Sequence, residues 1–178
     1  MSEEQVSATT APPESGHVVQ AGEGLAERPG RMVMLQTAHT GGTLSMGHSI
    51  IKPGILVPPH THTQEDETWY VIAGAVMLLL GDDIFRLEAG GAAWRPRGHA
   101  HASWVAPGDE PAEVVGHVIP GGWETRILEF DRTWVNGEFD ESAFVAMASD
   151  NGVYWDFDRG RRMADELGLV LMGSGKTP

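Results

Sequence analysis

The sequence has no cysteine, which excludes disulfides, thiolate metal sites and a cysteine nucleophile. Positive charge is scarce: Lys and Arg total 12 against 25 Asp and Glu, a formal net charge of -13. A phosphate backbone needs a basic face that these dispersed cations do not supply, so no nucleic-acid partner is expected. Anionic lipid is disfavoured for the same reason, and no membrane partner is expected. Long apolar runs are also missing. The longest, Val71 to Leu80, is interrupted by Gly74 and is too short to span a bilayer. Met1 to Gln5 is acidic and has no apolar core, so no secretory leader is expected there. These absences predict a soluble, cytoplasmic protein. The 178 residues suit one domain with appendages, able to bury roughly two-thirds of the unfolded surface.

Three textures follow one another along the chain. Residues 1–30 carry five acids, one base (Arg28) and little apolar periodicity. Such a segment buries too little to offset its ordering entropy, so a mobile arm is predicted, with Val18 and Val19 able to dock as an edge strand. Over residues 31–134, short apolar runs alternate with Gly- and Pro-rich turns, the spacing of an all-β sandwich or barrel. Strands are predicted at Met32–Ala38, Thr43–Ile51, Ala75–Leu80, Ile84–Leu87, Ala92–Arg95, His101–Val105 and Glu113–Ile119, with a hairpin turn at Gly81-Asp82-Asp83. Over residues 135–178, Asp140 can cap a helix running to about Asn151, and Arg161–Leu167 before Gly168 predicts a second, shorter one. Trp155 and Phe157 are expected to pack back on the barrel.

The chemistry concentrates between Gly54 and Val105. Side chains alternate along a strand, so His60 and His62 share a face. Glu67 opens the next run after a turn through Thr63 to Asp66, and an antiparallel return brings it opposite the two imidazoles. A second segment, Gly90, Pro96, Gly98 and then His101, supplies a fourth donor after a tight turn. Neutral nitrogens with one carboxylate oxygen suit a borderline divalent metal.

The pattern Gly54-x5-His60-x-His62-x4-Glu67-x6-Gly74 resembles the first motif of the cupin superfamily position for position. Gly90-x5-Pro96-x-Gly98-x2-His101 resembles most of the second, which usually ends in Asn where this chain has Val105. The resemblance implies an all-β cupin barrel (a double-stranded β-helix, jelly-roll-like) over residues 31–134, with a mobile arm over 1–30 and a short α-helical tail over 135–178. It implies one divalent ion per chain (Fe, Mn, Ni, Co or Zn) held by His60, His62, Glu67 and His101. It also implies a homodimer.

Other residues take second place. Trp69 and Val71 share parity with Glu67, and Ser103 and Val105 with His101, so these four are expected to line the substrate pocket. His99 is read as a solvent-facing turn residue, with a place at the site's rim as the alternative. His48 and His117 are read as satisfied strand histidines, while His17 and His39 carry little information. Glu65 and Asp66 are expected to solvate the turn. Trp104 is assigned to the outer face, Arg95 to the surface or to an anionic substrate at the mouth, and Met32, Met34 and Met46 to core filling.

Three imidazoles and one carboxylate leave a divalent ion with a formal charge of about +1 and open coordination positions. Such a site binds an anion and acidifies a bound hydroxyl. The small size, the His60-Thr61-His62 first motif, the phrase Ile119-Pro120-Gly121-Gly122-Trp123-Glu124 and the tail with Asn151-Gly152-Val153 resemble small quercetinase-like cupins. That resemblance implies a dioxygenase acting on a flavonol-like or other enolisable aromatic substrate, with Glu67 as both ligand and proton acceptor. A non-redox cyclase, isomerase or lyase of a polyketide-like pathway is the second expectation. A ligand-binding sensor is the third, lowered by the lack of a DNA-binding helix pair or basic arm.

Overall fold

A computed structural model of the chain describes residues 16–28, 30–125, 133–135 and 138–174. The expectation for residues 1–15 falls outside the described residues. Two antiparallel sheets face each other. The first has the order β1 (Leu25–Arg28), β2 (Arg31–Leu35), β3 (Ser45–Ile51), β10 (Ala112–Ile119), β5 (Asp66–Ala73), β8 (Ala92–Arg95). The second has the order β13 (Val153–Trp155), β4 (Ile55–His62), β9 (His101–Trp104), β6 (Ala75–Leu80), β7 (Asp83–Glu88), with β14 (Val170–Leu171) added parallel to β4. A two-stranded pair, β11 (Trp134–Val135) and β12 (Glu138–Phe139), stands apart. Neighbours distant in sequence, β10 beside both β3 and β5 and β9 between β4 and β6, make this a jelly-roll arrangement.

Alternation places one side of each strand inside. Along β10, Ala112, Val114, Gly116 and Val118 are buried and the residues between them are partly exposed. Gly116 leaves room for an indole: a Cβ there would lie 2.9 Å from Cδ1 of Trp69. The inner core is Trp69, Val71, Val76, Leu78, Val105, Ala112 and Val114. β6 and β7 pair through Leu80 and Asp83, with Gly81 in a left-handed conformation at the predicted turn.

A second core lies outside the second sheet. Leu56, Leu79, Ala102 and Trp104 point away from the interior and meet Phe144, Phe157, Ala164, Leu169 and Leu171 of the C-terminal segment. Trp104 thus takes the outer-face position that its parity predicts. The segment forms helices α1 (Glu141–Asp150) and α2 (Phe157–Leu167), capped by Asp140 and Asp156, whose carboxylates accept from the backbone N–H of Ala143 and Arg159. Helix α2 begins at Phe157 rather than at Arg161. Gly160 disguises its first turn in the sequence, where it allows close packing: a Cβ would lie 3.0 Å from Leu171 Cδ1 and 3.1 Å from the Pro58 side chain. The edge strand expected at Val18 and Val19 instead forms at Leu25–Arg28.

Candidate metal centre

β4, β5 and β9 bring the four expected donors to one end of the interior. His60, His62, Glu67 and His101 are all buried, and one ligand atom from each lies within 4.8 Å of the others. Strict alternation along β4 does not account for this, because Leu56 points outward and shares parity with His60. The pairing of β4 with β9 explains it: Val57 faces Ser103, but the next registered pair is His60 with His101, so β4 carries one extra residue. Pro58 and Pro59 fill that bulge. Neither has an N–H to give to the ladder, and the extra residue turns both histidines inward.

Each imidazole is oriented by its Nδ1 side. His60 Nδ1 lies 2.9 Å from the Pro58 carbonyl oxygen, His101 Nδ1 3.1 Å from that of His99, and His62 Nδ1 3.4 Å from a Glu65 carboxylate oxygen. With Nδ1–H donating outward, the Nε2 lone pairs are left for the centre. The turn between β8 and β9 is fixed to the same site, since the Gly98 N–H donates to the His62 carbonyl at 2.7 Å. Gly98 has φ of 77°, a left-handed conformation suited to glycine.

Glu67 meets the imidazoles from across the barrel. Its Oε1 is 3.6 Å from His62 Nε2, and its Oε2 is 3.3 Å from His101 Nε2 and 2.8 Å from Nη2 of Arg95. None of these contacts gives Oε2 or His101 Nε2 a hydrogen bond of good geometry; both atoms are buried without one among the described residues. Orphaned buried acceptors are costly, and a cation at their centre would satisfy them. Three oriented Nε2 atoms and one carboxylate therefore fit a divalent ion of Zn, Fe, Mn, Ni or Co type.

Electrostatics hold the donors in ligating form. Burial, together with the neighbouring imidazoles of His101 and His62, pushes the pKa of His60 well below the usual imidazole range. That of His101 is also lowered, chiefly by burial. Burial alone would raise Glu67, but the Arg95 guanidinium and the surrounding histidines hold it well below the usual carboxylate range.

Three residues at the site escape sequence reasoning. Arg95, assigned to the surface or mouth, is only 4% exposed, packed 4.1 Å from the Trp69 ring centroid and paired with Glu67. In the short run Ala92-Ala93-Trp94-Arg95, polarity would turn the arginine outward; instead Trp94 is 51% exposed. Glu65, expected to solvate the turn, is buried behind His62. Trp155 pairs with His60 through β13 and stacks on its ring, with centroids 4.1 Å apart and planes at 15°. Only its return to the barrel is legible in sequence.

The remaining candidates separate. His99 is exposed at the rim, and its carbonyl orients His101. His117 and His48 sit on the outer face of the first sheet, in contact with Thr68 and Glu113. Asp66 pairs with Arg97. Trp69, Val71, Ser103 and Val105 all point inward and are buried, with three of them in the inner core. A cavity of about 150 Å³ opens beside the centre and is lined by Leu80, Gly81, Arg95, Pro96, His99, Ala100 and His101, so those four do not line it.

Residues 47–119 match the family model described as a cupin domain. The fold is also similar to that of solved structures. KdgF from Halomonas sp. matches at 21% identity and a TM-score of 0.52, over 62% of this chain and 99% of that one. A predicted oxalate decarboxylase from Thermotoga maritima matches at 18% identity and 0.50, over 58% and 99%. A protein with a double-stranded β-helix domain from Klebsiella pneumoniae matches at 28% identity and 0.45, over 58% and 82%. No curated protein matches the sequence.

Proposed function

We propose, from the premise that this chain belongs to the cupin superfamily through its domain at residues 47–119, that it is a metal-dependent enzyme acting on a small enolisable anion. The observation that carries this reading is the convergence of His60, His62, Glu67 and His101 with every imidazole oriented through Nδ1. A divalent ion held by these residues would supply Lewis acidity and, if redox-active, a position for dioxygen. Oxidative cleavage of an enol, the dioxygenase reading, is the first reaction proposed.

The chain's own residues then have distinct tasks. Glu67, held ionised by Arg95 and the histidines, is the proposed acceptor of the proton that turns an enol into its anion. Trp69 and the apolar wall behind it keep water from that end. Trp155 braces the His60 ring through the stacked contact that the β13–β4 pairing sets up.

One observation favours a second, non-redox isomerase, cyclase or lyase reading. The cavity of about 150 Å³ lies below the roughly 300 Å³ at which pockets begin to hold drug-sized ligands. It suits a compact enol better than a tricyclic flavonol. Metal analysis combined with an oxygen-electrode assay on flavonols and smaller enols decides between them: turnover that persists without oxygen overturns the dioxygenase reading. Glu67→Gln is expected to reduce turnover more than metal content, and equal loss of both would overturn its role as base. A homodimer is proposed as the assembly, checked by light scattering.

A further inference from the structure

Arg95 asks for more than its contact with Glu67 supplies. Its guanidinium is buried, carries a fork of N–H donors, and reaches Glu67 through Nη2, yet its Nε has no hydrogen-bond partner among the described residues. It lies against the Trp69 ring and is one of the residues, with His101, that line the cavity beside the centre. A divalent ion and Arg95 would bring three formal positive charges against the two buried carboxylates Glu67 and Glu65, which leaves about one. A carboxylate within reach of the guanidinium offsets that charge and matches its geometry.

We propose that Arg95 is a substrate-binding residue that recognises a carboxylate, so the compact enolisable substrate carries a carboxylate beside its enol or phenol oxygen. This rests on the metal-centre reading above and narrows its substrate class. The cavity of about 150 Å³ fits a ligand of that kind.

The test uses the full chain loaded with cobalt(II) and two probes of one shape. Salicylate offers a phenol and a carboxylate, whereas salicylamide keeps the phenol and replaces the carboxylate with a neutral amide. Calorimetric titration of the wild type is expected to show salicylate binding about 10- to 100-fold more tightly, the range of a charge-assisted hydrogen-bond pair. Arg95→Met should bring that ratio to about one while cobalt content stays at that of the wild type. Arg95→Lys, which keeps the charge but loses the fork, should give an intermediate ratio and serves if the methionine variant does not fold. Equal binding of both probes by the wild type, or a wild-type ratio in either variant, overturns the proposal and leaves Arg95 as a positioning residue for Glu67. Elemental analysis reads the metal-centre proposal separately: a wild type that takes up no cobalt defeats that reading whatever the probes do.

Discussion

Along β5 the inward side chains run Glu67, Trp69, Val71, and along β9 and the residue after it they run His101, Ser103, Val105. The same strands therefore build two unlike ends of one interior. At one end Val71, Val76, Leu78, Val105 and Val114 pack as an ordinary apolar core. At the other, four donors and a guanidinium are crowded together, with buried atoms left unsatisfied. The apolar end contributes stability, and this allows the polar end to carry groups that would be costly alone. Register joins them: Leu80 faces His101 and Leu78 faces Ser103, so a residue's level along β6 decides which end it serves.

The sharpest way to break this comparison is to remove a donor. His62→Ala is expected to take metal content from about one ion per chain to near zero, read by elemental analysis, because one of only four donors is lost. Folding of the metal-free protein should change little. Leu78→Ala should do the reverse. Cavity formation at a side chain 1% exposed is expected to cost roughly 2–5 kcal/mol in denaturant unfolding, with metal content retained.

Acid should act on the polar end rather than on the apolar one. In the unfolded chain the imidazoles of His60 and His101 take up protons at about pH 6.5, whereas in the fold they do so only at lower pH. Between those values the unfolded state binds more protons, so the stability of metal-free protein falls as pH drops below the unfolded value. Glu67 adds to the same trend further down: its contribution is present above the ordinary carboxylate pKa and is lost as pH falls through its lower folded value. Thermal melts across pH 7 to 4 check this, and a flat profile would contradict it. The smallest effect expected is from Trp155→Leu. Losing the ring stacked on His60 should weaken metal binding by about 0.5–1.5 kcal/mol, read by competition with a chelator.

The strand block and the four donors are legible in sequence because both depend on local pattern: turn residues at regular intervals, and histidines and glycines at fixed offsets. What stays hidden depends on partners far along the chain. Arg95 leaves its expected surface place because Glu67, on a different strand, makes burial of a guanidinium acceptable. Alternation correctly pairs His60 with His62, but the bulge at Pro58-Pro59 decides which way the pair faces, and it is visible only in the register against β9. Glu65 reads as a turn carboxylate because its burial depends on the His62 ring folding over it, which residue type and spacing do not reveal.

The strand holding Trp155 has a consequence for biosynthesis. Every donor atom has been translated once His101 is made, but the ring braced against His60 and the helices that seal Trp104 come only with the C-terminal segment. A prematurely terminated product would display the full set of coordinating side chains on a sheet with one apolar face bare. Exposed in that way, it is marked for aggregation or degradation rather than for service as a half-built catalyst.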